Sequence, residues 1–235
     1  METLKAQESE NFQEQNNPDD TKIENSGRCQ YLYVYGIIPL KNSKDLKFNF
    51  IGLREKPITI IPYEDIGVLI SKYPFLNPIL DEKEAMEHAD ILKKIAKKTT
   101  VIPMAFGNVF NDEKILELIL KKSYNALKET LEQIKNKVEL GVKVIKNNED
   151  VIMDEDKLKT EILNALNNLS VKSIPGENFS ERLLLNHSFL VEKNNFSKFS
   201  DAIAKSEKKY KQFKFIYTGP WPPYSFVNIH IRGQK

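Results

Sequence analysis

The run Lys137-Val138-Glu139-Leu140-Gly141-Val142-Lys143-Val144 alternates apolar side chains with Lys, Glu, Gly and Lys. Successive side chains of an extended strand point to opposite faces, so a period of two marks a strand with one buried and one wet face. Directly before it, from Asp112 to about Lys135, Leu116, Ile119, Leu120, Tyr124, Leu127, Leu131 and Ile134 recur at helical spacing. Asp112 and Glu113 sit in the first turn, where the helix dipole favours acidic groups, and Asn111 is available as a cap. A strand that opens after so long an amphipathic helix begins a second sheet. The expected architecture is α+β in two domains, an N-terminal one over 29–135 and a C-terminal one over 136–235.

Upstream, Tyr31-Leu32-Tyr33-Val34-Tyr35-Gly36 is largely apolar on both alternating sets, which predicts a central strand covered on both faces. Lys41 to Lys56 reads as a polar connection. Ile58-Thr59-Ile60-Ile61 and Ile66-Gly67-Val68-Leu69-Ile70 read as short strands separated by a turn at Pro62. Asp81, with Glu84 three residues on, has the spacing of a capping box for a helix ending near Lys98. Ala85, Ala89, Leu92 and Ala96 share the inner face of that helix with His88 and Ile95. Val101-Ile102-Pro103-Met104-Ala105-Phe106-Gly107-Asn108-Val109-Phe110 runs from strand into turn, with Phe106 and Phe110 as apolar anchors and Gly107 free to take backbone angles closed to other residues.

Downstream, the pattern predicts a helix near Glu155 to Leu169, a break at Pro175-Gly176 and a short helix near Phe179 to Leu185. A strand at Phe189 to Glu192, a helix from Asn195 to Lys208 and strands at Phe213 to Tyr217 and Ser225 to Ile231 complete it. At the other end, residues 1–28 are dominated by Glu, Gln, Asn and Asp, with Leu4, Phe12 and Ile23 too scattered to form a face. Such a composition does not offset its own ordering entropy, and a disordered polar tail is expected.

The 235 residues carry 35 basic and 33 acidic side chains, a net charge of +2. With no global field to attract a polyanion, neither nucleic acid nor an anionic membrane is an expected partner. Cys29 is the only cysteine, which excludes an intrachain disulfide and a cysteine-built zinc site and fits a reducing cytoplasm. No window approaches eighteen uninterrupted apolar residues, and the N-terminus has no basic start followed by an apolar stretch, so neither a membrane span nor a signal peptide is expected.

No residue pattern points to catalysis, a metal or a cofactor. His88 lies on an apolar helix face, His187 precedes a strand and His230 is near the terminus, at separations that match no recognised metal-ligand spacing. Asp154, Glu155 and Asp156 cluster where a helix start needs acidic groups. The glycines Gly36, Gly52, Gly67, Gly107 and Gly141 are isolated and form no phosphate cradle. Tyr31, Tyr33 and Tyr35 lack the interleaved Lys and Arg that would hold a nucleic-acid backbone.

The remaining block is Thr218-Gly219-Pro220-Trp221-Pro222-Pro223-Tyr224-Ser225-Phe226, which sets the single tryptophan among three prolines. Proline fixes φ and donates no backbone hydrogen bond, so the segment is stiff before anything packs on it. That stiffness suits a structural corner burying Trp221, and also a rigid aromatic anchor offered to a partner. The corner is the favoured reading, since a lone tryptophan is more often core than contact. The block resembles the C-terminal signature of the gas vesicle protein L and F family. The Tyr31 strand, the Pro-x-x-Phe-Gly block around Pro103 and the Lys137 strand are similar to that family's further blocks, in the same order from about Gln30 to Ile231. Ala105 and Asn108 depart from the basic residue and the Ser or Thr that family members often carry there. The stretch from Asp154 to Arg182 is also shorter and less Arg-rich than in many members.

The resemblance implies a modified ferredoxin-like fold for the C-terminal domain. It also implies a non-enzymatic accessory or minor structural protein of gas vesicle assembly, located in the cytoplasm and at the vesicle. Its partners would be the small hydrophobic shell protein and other accessory proteins. A soluble chain that handles apolar monomers needs exposed anchors, and Trp221, Tyr224 and Phe226, then Phe106 and Phe110, are the candidates, with a purely structural role the favoured alternative for the second group. The alternative is a ferredoxin-like module that binds a small regulatory molecule.

Overall fold

The computed structural model describes residues 31–40, 49–76, 81–147 and 154–227. The tail over 1–28, Cys29, His230 and part of the connection from Lys41 lie outside them. Among the described residues the chain builds two antiparallel sheets and four α-helices.

In the first sheet β1 (Tyr31–Pro39) is central, as its two apolar sets require. It pairs on one side with β3 (Ile66–Tyr73), beyond which lies β2 (Thr59–Tyr63). Its other side pairs with two short strands, β4 (Ile102–Pro103) and β5 (Val109–Phe110). A bulge between Val34 and Gly36 shifts the alternation of β1 between its two faces. Leu32, Val34 and Ile37 join the core under α2 (Glu113–Ile134), whereas Tyr33, Tyr35 and Ile38 join the core under α1 (Glu82–Lys98). The sheet is therefore sandwiched between two helices. Leu116, Leu120, Leu127, Leu131 and Ile134 form the buried stripe of α2, each contributing about 2 kcal/mol by leaving water.

The second sheet follows the order β6 (Lys137–Lys146), α3 (Glu155–Asn167), β7 (Lys172–Pro175), β8 (Leu183–Glu192), α4 (Phe196–Lys209), β9 (Phe213–Trp221). Its strands lie in the order β7-β8-β6-β9, a β-α-β-β-α-β unit. Both helices cover one face: Leu158, Ile162 and Leu166 of α3 and Phe199 and Ile203 of α4 pack on Leu140, Val142, Val144 and Phe189.

Several local expectations are corrected. Pro62 lies inside β2, and the turn is Glu64-Asp65; β2 is an edge strand, where a missing N–H costs the ladder nothing. Glu84 does not complete a capping box, because Asp81 alone caps α1 through Lys83 N, 2.9 Å away, while Glu84 turns into the core. Asp112, not Asn111, caps α2, accepting from Ile115 N at 3.0 Å. The helix expected over Phe179 to Leu185 is replaced by a turn and the start of β8, since the ladder to β6 recruits Leu183 and Leu185. Lys172–Pro175, just before the expected break, is an edge strand on β8. The strand expected from Ser225 begins instead as a 3-10 turn over Tyr224–Phe226, because Pro222 and Pro223 have no N–H to continue a ladder; residues 228–231 lie outside the described residues.

Candidate functional site

The central block is an excursion from the edge of the first sheet. β4 and β5 both return to β1, with Ile37 opposite Ile102 and Tyr33 opposite Val109, and Met104 to Asn108 loop out between them. Met104 N donates to Tyr35 O and Val34 N to Asn108 O, each at 2.9 Å, closing the loop at both ends. Gly107 makes the turn with φ +90°, a conformation that suits a residue without Cβ. Its N–H donates to Tyr33 Oη at 3.2 Å.

His88 of α1 sits beneath this loop at 2% exposure. Its Nε2–H donates to Met104 O at 2.9 Å, so Nδ1 is the unprotonated nitrogen and accepts from Tyr33 Oη at 2.9 Å. Burial pushes the His88 pKa down to about 4, opposed by the Met104 carbonyl. Both nitrogens are occupied and the ring holds the loop in place. Tyr33 also faces Tyr35, Tyr73 and Phe106 at ring separations of 4.9, 5.2 and 6.2 Å. Burial raises the Tyr33 and Tyr35 hydroxyls above the usual range. Tyr73, pushed up to about 12 by burial and then by Glu84, donates to Glu84 Oε2 at 2.6 Å. Arg54 completes this corner, 2.7 Å from Glu84 and over the Tyr73 and Phe75 rings.

The Trp block ends β9 and crosses to the first sheet. Trp221 pairs with Glu139 of β6 after an irregularity that contains Gly219, whose φ is +115°. The Trp221 ring is half-buried, with Lys93 Nζ of α1 3.9 Å from its centroid. Pro222 and Pro223 are buried. Tyr224 then packs into the core under α1 together with Phe106, and Val227 into the core under α2. Burial, and next the charge of Glu139, raise the Tyr224 pKa. Glu139, only 7% exposed, accepts from Ser225 N at 2.8 Å and from Ser225 Oγ at 2.6 Å. The two blocks singled out in the sequence thus meet at one place.

A family profile described as gas vesicle synthesis protein GvpL/GvpF matches residues 31–157 and 146–228. The chain belongs to this family. Gas vesicle protein F1 of Halobacterium salinarum is 31% identical over 208 residues, 87% of this chain and 96% of that protein. Gas vesicle protein F of Haloferax mediterranei is 31% identical over 204 residues, 85% of this chain and 94% of that protein. The crystal structure of GvpF from Anabaena sp. PCC7120 superposes with a TM-score of 0.77 at 18% identity, covering 88% of this chain and 99% of that one. GvpF from Microcystis aeruginosa gives 0.76 at 14%, covering 85% and 99%. At such low identity these two likenesses establish a shared fold.

Within this GvpL/GvpF-family chain the candidate residues part company. Phe106 and Tyr224 come together at the junction, and Trp221 and Phe226 are half-buried beside it. Phe110, at 1% exposure, is a core residue under α2 and offers no surface. His187 lies half-buried on β8 against Phe189. Sequence reasoning passed over Lys93, Glu139 and Ser225. Glu139 looked like a wet-face residue of an alternating strand, and nothing in a local period marks a carboxylate that a distant serine will cover.

Proposed function

We propose that this chain is a non-enzymatic accessory or minor structural protein of gas vesicle formation that binds the hydrophobic shell protein and other accessory proteins from the cytoplasmic side. Residues 29–135 and 136–235 act in this reading as two units, the second ferredoxin-like. Membership of the GvpL/GvpF family supports the process. The observation that carries the binding reading is Trp221, a half-buried ring held by Lys93 on a proline-stiffened support, so that little side-chain entropy remains to be lost on capture. Among the described residues no helix is long and apolar enough to cross a membrane.

Co-expression with the shell protein and affinity capture tests this. The intact chain retains the shell protein. Trp221→Ala weakens capture by roughly 2 kcal/mol or more, the range of an interface hot spot. Failure of the intact chain to retain the shell protein overturns the proposal, and full capture by a folded Trp221→Ala variant removes Trp221 from it.

A further inference from the structure

The two sheets have separate cores, yet one short segment belongs to both halves of the molecule. Pro222 and Pro223 leave β9 buried, and Pro223 shares the walls of a small hollow with Ala96, Thr99, Val101 and Ile134 of the first half. One residue later Tyr224 enters the core under α1, and Val227 enters the core on the opposite face of the same sheet. Between these two plugs, Ser225 is exposed but returns both its N–H and its hydroxyl to Glu139 on β6. Its Oγ also lies 3.3 Å from Ser188 Oγ on β8.

A carboxylate buried to 7% exposure costs desolvation, and charge-assisted bonds from a neighbour offset that cost. Glu139 takes two such bonds from a single residue on a segment whose flanking side chains are inserted in the other half. We propose that Pro222–Val227 is a strap that locks the two sheets in one relative orientation, with Glu139 and Ser225 as its latch and Tyr224 as the plug that covers the Tyr33–Phe106 wall. Releasing the latch frees the strap, uncovers that wall and lets the halves move against each other. The three local hydrogen bonds of the strap, Tyr224 N to Pro222 O, Phe226 N to Pro223 O and Val227 N to Tyr224 O, keep it a compact turn that seats or lifts as one piece.

Amide hydrogen exchange on the full chain tests the lock, comparing wild type with Ser225→Ala, Glu139→Gln and Tyr224→Ala, and with Lys214→Ala on β9 as control. Loss of the latch is expected to speed exchange by about tenfold in two separated places, the strap itself and the Met104–Asn108 loop with its β1 partners, while α3 and α4 keep their protection. Tyr224→Ala reproduces the pattern at the loop, and Lys214→Ala changes nothing. Acceleration confined to the strap, spread evenly over the chain, or absent overturns the proposal. Should Glu139→Gln fail to fold, Ser225→Ala carries the test, since it removes one hydroxyl from an exposed residue.

Discussion

Protonating His88 would force the Tyr33 hydroxyl to turn from donor to acceptor at Nδ1 and would place a charge among Tyr33, Tyr35 and Phe106. The folded pKa near 4 lies below the ordinary 6.5, so between those values the unfolded chain binds a proton that the native state does not. The stability from His88 is therefore complete above pH 6.5 and is lost as pH falls towards 4, by roughly 3 kcal/mol. His88→Gln, which keeps a donor for Met104 O, should lose less stability than wild type between pH 7 and pH 4.5 in denaturant titrations; equal losses would refute this account of the ring. Gly219 is a second residue-scale case. Its φ is +115° and a Cβ there would stand 2.7 Å from Glu139 O, so Gly219→Ala is expected to cost about 1–3 kcal/mol, read as a lowered denaturant midpoint.

At the scale of elements, α2 shows where a periodic pattern suffices and where it stops. Its buried stripe of Leu116, Leu120, Leu127 and Leu131 is the one that spacing predicts. Its cap depends on which of two adjacent side chains reaches the open N–H groups. Asp112 has extended backbone angles, φ −152° and ψ 168°, and its carboxylate meets Ile115 N. Asp112→Ala should thus cost about 1 kcal/mol, whereas Asn111→Ala should leave the midpoint unchanged. β8 shows the opposite limit. Leu183-Leu184-Leu185 suits a helix as well as a strand, and the choice is made by β6, whose Val144 and Ile145 offer a ladder to Leu185 and Leu183.

For the whole molecule, Tyr224 and Val227 are seated in the first half's cores, so the two halves are expected to unfold in one event. Leu120→Ala under α2 and Phe199→Ala under α4 should both lower a single transition, by about 2–5 and 3–5 kcal/mol respectively, followed by Trp221 emission and far-UV circular dichroism together. Two separated transitions in wild type would show that the halves unfold independently. The α+β class, the central β1 and the four α-helices were legible in the chain, because alternation and helical spacing record, residue by residue, which side of an element meets the core. The family was legible from the Trp221 block and its companion blocks, while the helix expected over Phe179 to Leu185 was not found. The tertiary structure alone decided that Phe110 is core, that Phe106 and Tyr224 meet, that Lys93 covers Trp221 and that Glu139 is closed over by Ser225. Those contacts join residues far apart in sequence, within one half for Phe110 and for Glu139 with Ser225, and between the halves for Phe106 with Tyr224 and Lys93 with Trp221. They exist only once the chain has packed, and no local period carries a trace of them.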